Sequence, residues 1–308
     1  QRKSTVEINA KPHNTNSYHL AGIVPCAGQP LDFGMEWPDF MMPVAANYTM
    51  LESAIYECAY AGCETIWVVL HADTAPFVRH RIGDFIQDPV WAFRKHDPYP
   101  DESRRRIPIF YVPIHPKDRD RRDCLSWSVI QGALTCLKVS SKLSKWLIPD
   151  RYWVSFPYGI FNPAEIRQHR NAISSHKNFY VTYKGKAMNE NHFTSFSFGK
   201  DEFIRYRRNI RTGTGMYADG EYNASGAPSR VLPTIEQYSA RWFDLKYVFT
   251  DLDITPDNSY EPKEFFNLGS WEDYRNYLSS EYSRSVKRPH ERIIKYSEFQ
   301  RISLDRSD

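Results

Sequence analysis

Apolar residues gather in short continuous runs, separated by helical periods and by loops rich in glycine and proline. Leu20-Ala-Gly-Ile-Val-Pro25 is one such run and Thr65-Ile-Trp-Val-Val-Leu70 is another; both read as buried strands. Between them, Thr49 predicts the cap of a helix from Met50 to about Ala61. Glu52 falls in its first turn, Leu51, Ile55, Cys58 and Ala59 lie near one face, and Gly62 closes it. The order strand, loop, helix, strand predicts a right-handed parallel crossover. Ala75 to Ile86 predicts a further helix. Ile107 to Ile114 predicts a strand whose prolines point to an edge or to irregular pairing. Ser126 to Val139 predicts a helix and Arg151 to Phe156 another strand.

The middle of the chain changes character. Asn178 to Tyr183 and His192 to Phe198 predict paired strands around the polar turn Lys184-Gly-Lys186. Asp201 to Asn209 predicts a short helix, Arg211 to Arg230 a loop, Thr234 to Phe243 a helix and Lys246 to Thr250 a returning strand. Trp271 to Ser280 predicts a late helix capped by Ser270. This organisation gives a flexible arm over 1–18 and a nucleotide-binding-like α/β region over 19–162. An inserted β-rich and loop region follows over 163–245. The chain then returns to the core sheet and ends in a helical tail over 246–308.

Composition narrows the function classes. Lys and Arg total 40 against 37 Asp and Glu, a formal charge of +3, so global charge gives no argument for nucleic acid as a partner. No apolar run approaches the roughly 18 residues of a membrane span, and Gln1 to Asn16 has no apolar signal core. The five cysteines are Cys26, Cys58, Cys63, Cys124 and Cys136, and they form no CxxC pair. The expected setting is the cytoplasm or another reducing intracellular compartment. The histidines make no HExxH spacing, and no serine sits in a GxSxG elbow.

Candidate chemistry collects after the predicted strands. Ala27, Gly28, Gln29 and Gly34 form a loop beyond the first strand, where α/β sheets commonly bind ligands, although GxGxxG and Walker A patterns are absent. His71 follows the second strand. Asp251 and Asp253 alternate by two and are the candidate metal carboxylates.

The order of several pieces resembles the sugar-phosphate nucleotidyltransferase family, the pyrophosphorylases that make nucleotide sugars. Gly22-Ile-Val-Pro-Cys-Ala-Gly28, Trp37-Pro-Asp-Phe-Met-Met-Pro-Val44, Met50-Leu-Glu-Ser-Ala-Ile55 and Ala61-Gly-Cys-Glu-Thr-Ile66 carry the likeness. Phe265-Phe-Asn-Leu-Gly-Ser-Trp-Glu-Asp-Tyr274 resembles the family's late aromatic-Asp-x-Gly-Thr stretch. The resemblance implies a Rossmann-like nucleotide-diphospho-sugar transferase (GT-A-like) fold, α/β with a mixed sheet and an inserted β-rich region. It implies transfer of a nucleotidyl group to a sugar 1-phosphate, with carboxylates positioning Mg²⁺ and an Arg and a Lys steadying the phosphates.

This chain departs from that pattern where charge matters. Gln29-Pro-Leu-Asp32 replaces the family's Gly-Thr-Arg run, and Asp39 stands at the lysine position. Pro157-Tyr158-Gly159 follows the central strand without the metal Asp, and Asn267 takes the place of the late metal Asp. Asp39, His71, Tyr158, Gly159 and Asn267 are therefore the cleft candidates. Two readings stand. One is a divergent nucleotidyltransferase-like protein that binds a nucleotide or nucleotide sugar, with Mg²⁺ if it is catalytic. The other is a non-catalytic binding or assembly protein that retains the fold, with a homo-oligomer or assembly partner left open.

Overall fold

Each run of the β-forming pattern places its strand beside a neighbour in a computed structural model that describes residues 18–28, 36–92, 106–119, 122, 124–143, 148–212, 224–226, 230–233, 237 and 244–289. The calls on the arm, on most of Arg211 to Arg230 and on Thr234 to Phe243 fall largely outside these residues, as do Gln29 and Gly34. In chain order, β1 is Leu20–Pro25, and Pro43–Ala45 (β2) pairs antiparallel with Tyr48–Thr49 (β3). Then come α1 (Met50–Ala61), β4 (Thr65–Leu70), α2 (Ala75–Ile82), β5 (Phe85–Gln87) and α3 (Pro89–Ala92). Next are β6 (Arg106–Pro113), α4 (Pro116–Arg119), α5 (Leu125–Leu143), β7 (Arg151–Val154) and β8 (Gly159–Ile160). A 3₁₀ segment at Pro163–His169 leads to α6 (Arg170–Ile173), β9 (Tyr180–Val181), β10 (Phe196–Phe198) and α7 (Lys200–Thr212). The described chain ends with α8 (Leu245–Val248), β11 (Ser259–Tyr260), β12 (Phe266–Asn267), α9 (Trp271–Ser279) and α10 (Glu281–Ser285).

Eight strands form one mixed sheet in the order β11-β9-β10-β7-β1-β4-β6-β5. β1 runs parallel to both β4 and β7, and β4 runs parallel to β6. The chain moves outward from β1 to β4 and β6, then crosses back to β7 on the other side of β1. The direction of winding therefore reverses between β1 and β7. Two glycines mark the faces: a Cβ at Gly22 would press on Cys58 of α1, and one at Gly132 of α5 would press on Ile23 and Val69. Gly22 and Ile23 are successive residues of one strand and point to opposite faces, so α1 and α5 cover opposite sides. This is the doubly wound arrangement expected of an α/β chain.

α1 forms as its sequence predicts. Thr49 and Glu52 make a reciprocal capping box, and Gly62 ends the helix at φ +97°. Its burial exceeds the one-face expectation, because every residue of α1 is buried, Glu52 and Glu57 included. Glu52 accepts hydrogen bonds from the backbone N–H and hydroxyl of Thr49 and lies 3.3 Å from Arg81 and 3.2 Å from Arg288.

Three elements differ from expectation. β6 lies inside the sheet between β4 and β5 and not at an edge. Its prolines are tolerated because Pro108 sits at the end of the β5 pairing and Pro113 is the last residue of the strand. The helix expected over Ala75 to Ile86 stops at Gly83, and Phe85–Gln87 pairs with β6 instead. Lys246 to Thr250 is no strand. Leu245, Val248 and Phe249 are buried at a helical spacing, which makes the single turn of α8, and the chain rejoins the sheet at β11.

Candidate functional site

The carboxyl ends of β1 and β7 meet where the winding reverses, the place where an open α/β sheet leaves a crevice. Past β1, the N–H groups of Cys26 and Ala27 both donate to the carbonyl of Val69, at 2.8 and 2.9 Å. The Ser128 hydroxyl, in the first turn of α5, donates to the Ala27 carbonyl. Gly28 is half-buried, and a Cβ there would lie 3.0 Å from the Leu125 backbone nitrogen. Ala27 and Gly28 thus rest on the N-terminus of α5, so closely that a Cβ at Gly28 needs the α5 backbone to give by a few tenths of an ångström.

Past β7, the Ser155 N–H donates to Ile23 at 3.0 Å, and the chain turns through Pro157 into Tyr158 and Gly159. Tyr158 is buried; burial, with Cys26 and Asp39 adding to it, pushes its hydroxyl well above the usual range. Burial also raises the Cys26 thiol. Asp39 is itself buried, 6% exposed, in the 3₁₀ turn Asp39–Met41. Gly159 pairs with Asn267 across β8 and β12, and the Leu268 N–H donates to the Tyr158 carbonyl at 2.8 Å. A side chain at Gly159 would collide with the Phe193 carbonyl. The Phe193 ring packs on Tyr158 at 5.2 Å and on Phe156 at 6.0 Å, and its N–H donates to Asn267 Oδ1 at 2.8 Å.

The structure therefore brings Ala27, Gly28, Asp39, Tyr158, Gly159 and Asn267 to one rim. His71 stands on the same rim after β4. Its carbonyl accepts from the N–H groups of Thr74 and Ala75 and from the Thr74 hydroxyl, which starts α2. Beside it, Arg119 bonds Asp73 at 2.8 Å and holds that carboxyl below its usual range. The Arg122 guanidinium covers the Trp127 ring at 4.7 Å.

Asp251 and Asp253 lie elsewhere. β9 is antiparallel to β10, which is antiparallel to β7, and β11 is parallel to β9, so β11 runs in the direction of β7. The two aspartates approach the amino end of β11, opposite the rim that carries Gly28 and Tyr158. Both are exposed, and the Thr250 hydroxyl donates to Asp251 at 3.2 Å. Asp253 sits near Tyr180, the first residue of β9.

These groups do not fit a Mg²⁺ ion at the rim. Mg²⁺ demands an octahedron of hard oxygens anchored by carboxylates. Pro157-Tyr158-Gly159 after the central strand supplies no carboxylate, and at the late position stands Asn267, an amide whose oxygen already accepts a backbone N–H. Among the described residues, no three His, Cys, Asp or Glu side chains converge as a metal-holding group.

The carboxyl that sequence reasoning missed is Glu57. It lies under β7, where Trp153 Nε1 donates to it at 3.1 Å and the Ser155 hydroxyl at 2.6 Å. Burial pushes its carboxyl up to about 7, while hydrogen bonds from Ser155, Ser195 and Trp153 pull it part of the way back. An acidic residue beside Cys58, on the apolar face read for the helix, was the available signal.

No family model matches the sequence, and no curated protein matches it. Among solved structures, the chain aligns with UDP-glucose pyrophosphorylase from Acinetobacter baumanii at 12% identity, over 94% of this chain and 99% of that one, with a TM-score of 0.45. It aligns with UDP-glucose pyrophosphorylase complexed with UDP-glucose at 12% identity, over 87% and 100%, with a TM-score of 0.45. Rv0371C from Mycobacterium tuberculosis H37Rv, solved as a complex with manganese, aligns at 13% identity over 86% and 100%, with a TM-score of 0.42. At these scores the alignments assign no role to any residue of this chain. No described helix is long and apolar enough to cross a membrane.

Proposed function

We propose that this chain is a nucleotide- or nucleotide-sugar-binding protein built on a nucleotidyltransferase-like fold, and that it binds without transferring the nucleotidyl group. Binding is supported by position. Ala27 and Gly28 lie at the reversal point of the sheet, on the N-terminus of the 19-residue helix α5, the end whose dipole favours anions.

The absence of transfer rests on one observation: Asp39, buried beside Tyr158, puts an acidic residue where the family resemblance places a phosphate-facing lysine. A sugar phosphate approaching a triphosphate brings negative charge that cations must offset, and an acidic side chain supplies no cation there. The test is a melting-temperature series with ATP, CTP, GTP, UTP, dTTP and UDP-glucose, run beside an assay for pyrophosphate release from each triphosphate with glucose 1-phosphate. Upward shifts in melting with at least one compound and no release are expected. Gly28→Val, compared with its own ligand-free melting, should lose the shift. Turnover would contradict the reading.

A second reading, an assembly protein, is favoured by exposed aromatic residues near α2 and, separately, on the β5–β6 edge of the sheet. Trp37 and Phe77 meet edge-on at 5.1 Å while 49% and 39% exposed. On β5 and β6, Phe85 and Phe110 are 43% and 37% exposed. Exposed aromatics in such number commonly mark an interface. Light scattering distinguishes this reading by a mass above 36.1 kDa that falls when Phe77 and Phe85 are replaced by serine.

A further inference from the structure

Two of the segments that build the rim are tied together from below by one carboxyl. Ser155 is the last residue joined to β1, through its N–H to Ile23, and the chain then turns through Phe156 and Pro157 into Tyr158. Ser195 stands two residues after Phe193, whose ring packs on Tyr158 and whose N–H donates to Asn267. The hydroxyls of Ser155 and Ser195 both donate to Glu57 of α1, and Trp153 Nε1 adds a third bond at 3.1 Å. All four side chains are buried.

This carboxyl has donors but no counter-charge. Among the described residues, no Lys, Arg or His pairs with it. The ionisable groups of the surrounding elements are turned elsewhere. On α1, Glu52 meets Arg81 and Arg288, and the Cys58 thiol is pushed up by burial, by Cys63 and by Glu57 itself. On β7, Arg151 donates to the His176 carbonyl and to Asn178. In the 3₁₀ segment, Glu165 accepts from Tyr260, His169 lies on the Tyr260 ring at 4.2 Å, and Arg167 lies near Tyr60. Arg170 of α6 donates to the carbonyls of Ala59 and Tyr60 and lies 4.0 Å from Asp88. β1 and the stretch from Phe193 to Ser195 bring no ionisable group within their spans.

We propose that Glu57 is a positioning residue for the rim: neutral, it ties the end of β7 to the lead into β10, and ionised, it releases them and weakens the hold on a phosphate-bearing ligand. The ligand half of this rests on the nucleotide reading above. A buried anion without a cation is stabilised further by water, and water reaches Glu57 when Ser155 and Ser195 part. A negative charge behind the rim also opposes a phosphate across a poorly screened interior. The change falls near neutrality, since burial raises this carboxyl to about 7. Binding is therefore strongest below that pH and declines above it.

The test has two arms on the full chain. Native-state hydrogen exchange reads the rim without a ligand, through the N–H groups of Phe193 and Leu268, which bond Asn267 and the Tyr158 carbonyl. These should exchange faster than the amides of β4 and, corrected for the intrinsic rate, lose about tenfold in protection from pH 5.5 to 7.5. Glu57→Gln should remove that loss. Ser195→Ala, which keeps the carboxyl and cuts one tie, should expose the same amides at pH 5.5. Calorimetric titration with UDP-glucose, whose diphosphate does not titrate in this range, should give about tenfold weaker binding at pH 8 than at pH 6, and equal affinities in Glu57→Gln. Rim amides that exchange no faster than β4 would overturn the proposal, because Glu57 would then act on the whole fold alone. So would a pH dependence that survives Glu57→Gln in either arm. If UDP-glucose binds at neither pH, the nucleotide reading fails, and the exchange arm alone decides whether Glu57 ties the rim.

Discussion

Burial between α1 and β7 pushes the Glu57 carboxyl up, and the consequence is a pH dependence of known sign. Its carboxyl is raised to about 7 in the folded chain from an ordinary 4.5. Between those values the folded chain holds a proton that the unfolded chain has released. Stability from this group is therefore full below about 4.5, falls as pH rises to about 7, and is flat above. The loss is about 3 kcal/mol. Chemical denaturation of Glu57→Gln from pH 4.5 to 8 should show that decline removed, because an amide serves Trp153 and Ser155 without ionising. Parallel curves for the two proteins would contradict the assignment. At Gly159, any side chain meets the Phe193 carbonyl. Gly159→Ala should cost about 3 kcal/mol in the same measurement. The residue scale is also where the sequence is hardest to read. Asp39 stands out in the sequence only by its place in the family resemblance, and its burial beside Tyr158 is seen only in the fold. Asp251 and Asp253 look paired until strand direction separates them from the rim.

Elements with a strong local signal follow the sequence closely. The Thr49 cap, the Gly62 stop and the Ser270 cap all act locally, within three or four residues, so no tertiary knowledge is needed to place α1 and α9. Thr49→Ala should destabilise the fold by about 1–2 kcal/mol in urea denaturation, since it removes half of the capping box and leaves Glu52 with fewer donors. α8 and β5 are less legible for a physical reason. A four- or five-residue apolar cluster satisfies both helical and strand periods, and only the neighbouring surface decides between them. β6 misleads in the same way. Its prolines point to an edge, and only the short reach of β5 lets them sit inside the sheet.

At the scale of the whole molecule, the parallel unit from Gly22 to Leu70 is legible because one helix must carry the chain from β1 to an adjacent parallel strand. The point where the winding reverses, where such a sheet can open a crevice, follows once β7 returns to the far side of β1. Its chemistry does not follow from topology. It depends on which side chains the 3₁₀ turn at Asp39 and the β8–β12 pair bring to Tyr158, and the β8–β12 contacts join residues more than 100 positions apart, as between Asn267 and Gly159. The most direct measurement is the phosphorus NMR spectrum of UTP with glucose 1-phosphate and Mg²⁺ as the protein is added, repeated with ATP, CTP, GTP and dTTP. Broadened or shifted triphosphate resonances with no growing pyrophosphate signal are predicted for at least one nucleotide. A pyrophosphate signal that grows with protein, or spectra unchanged for all five, would contradict binding without transfer.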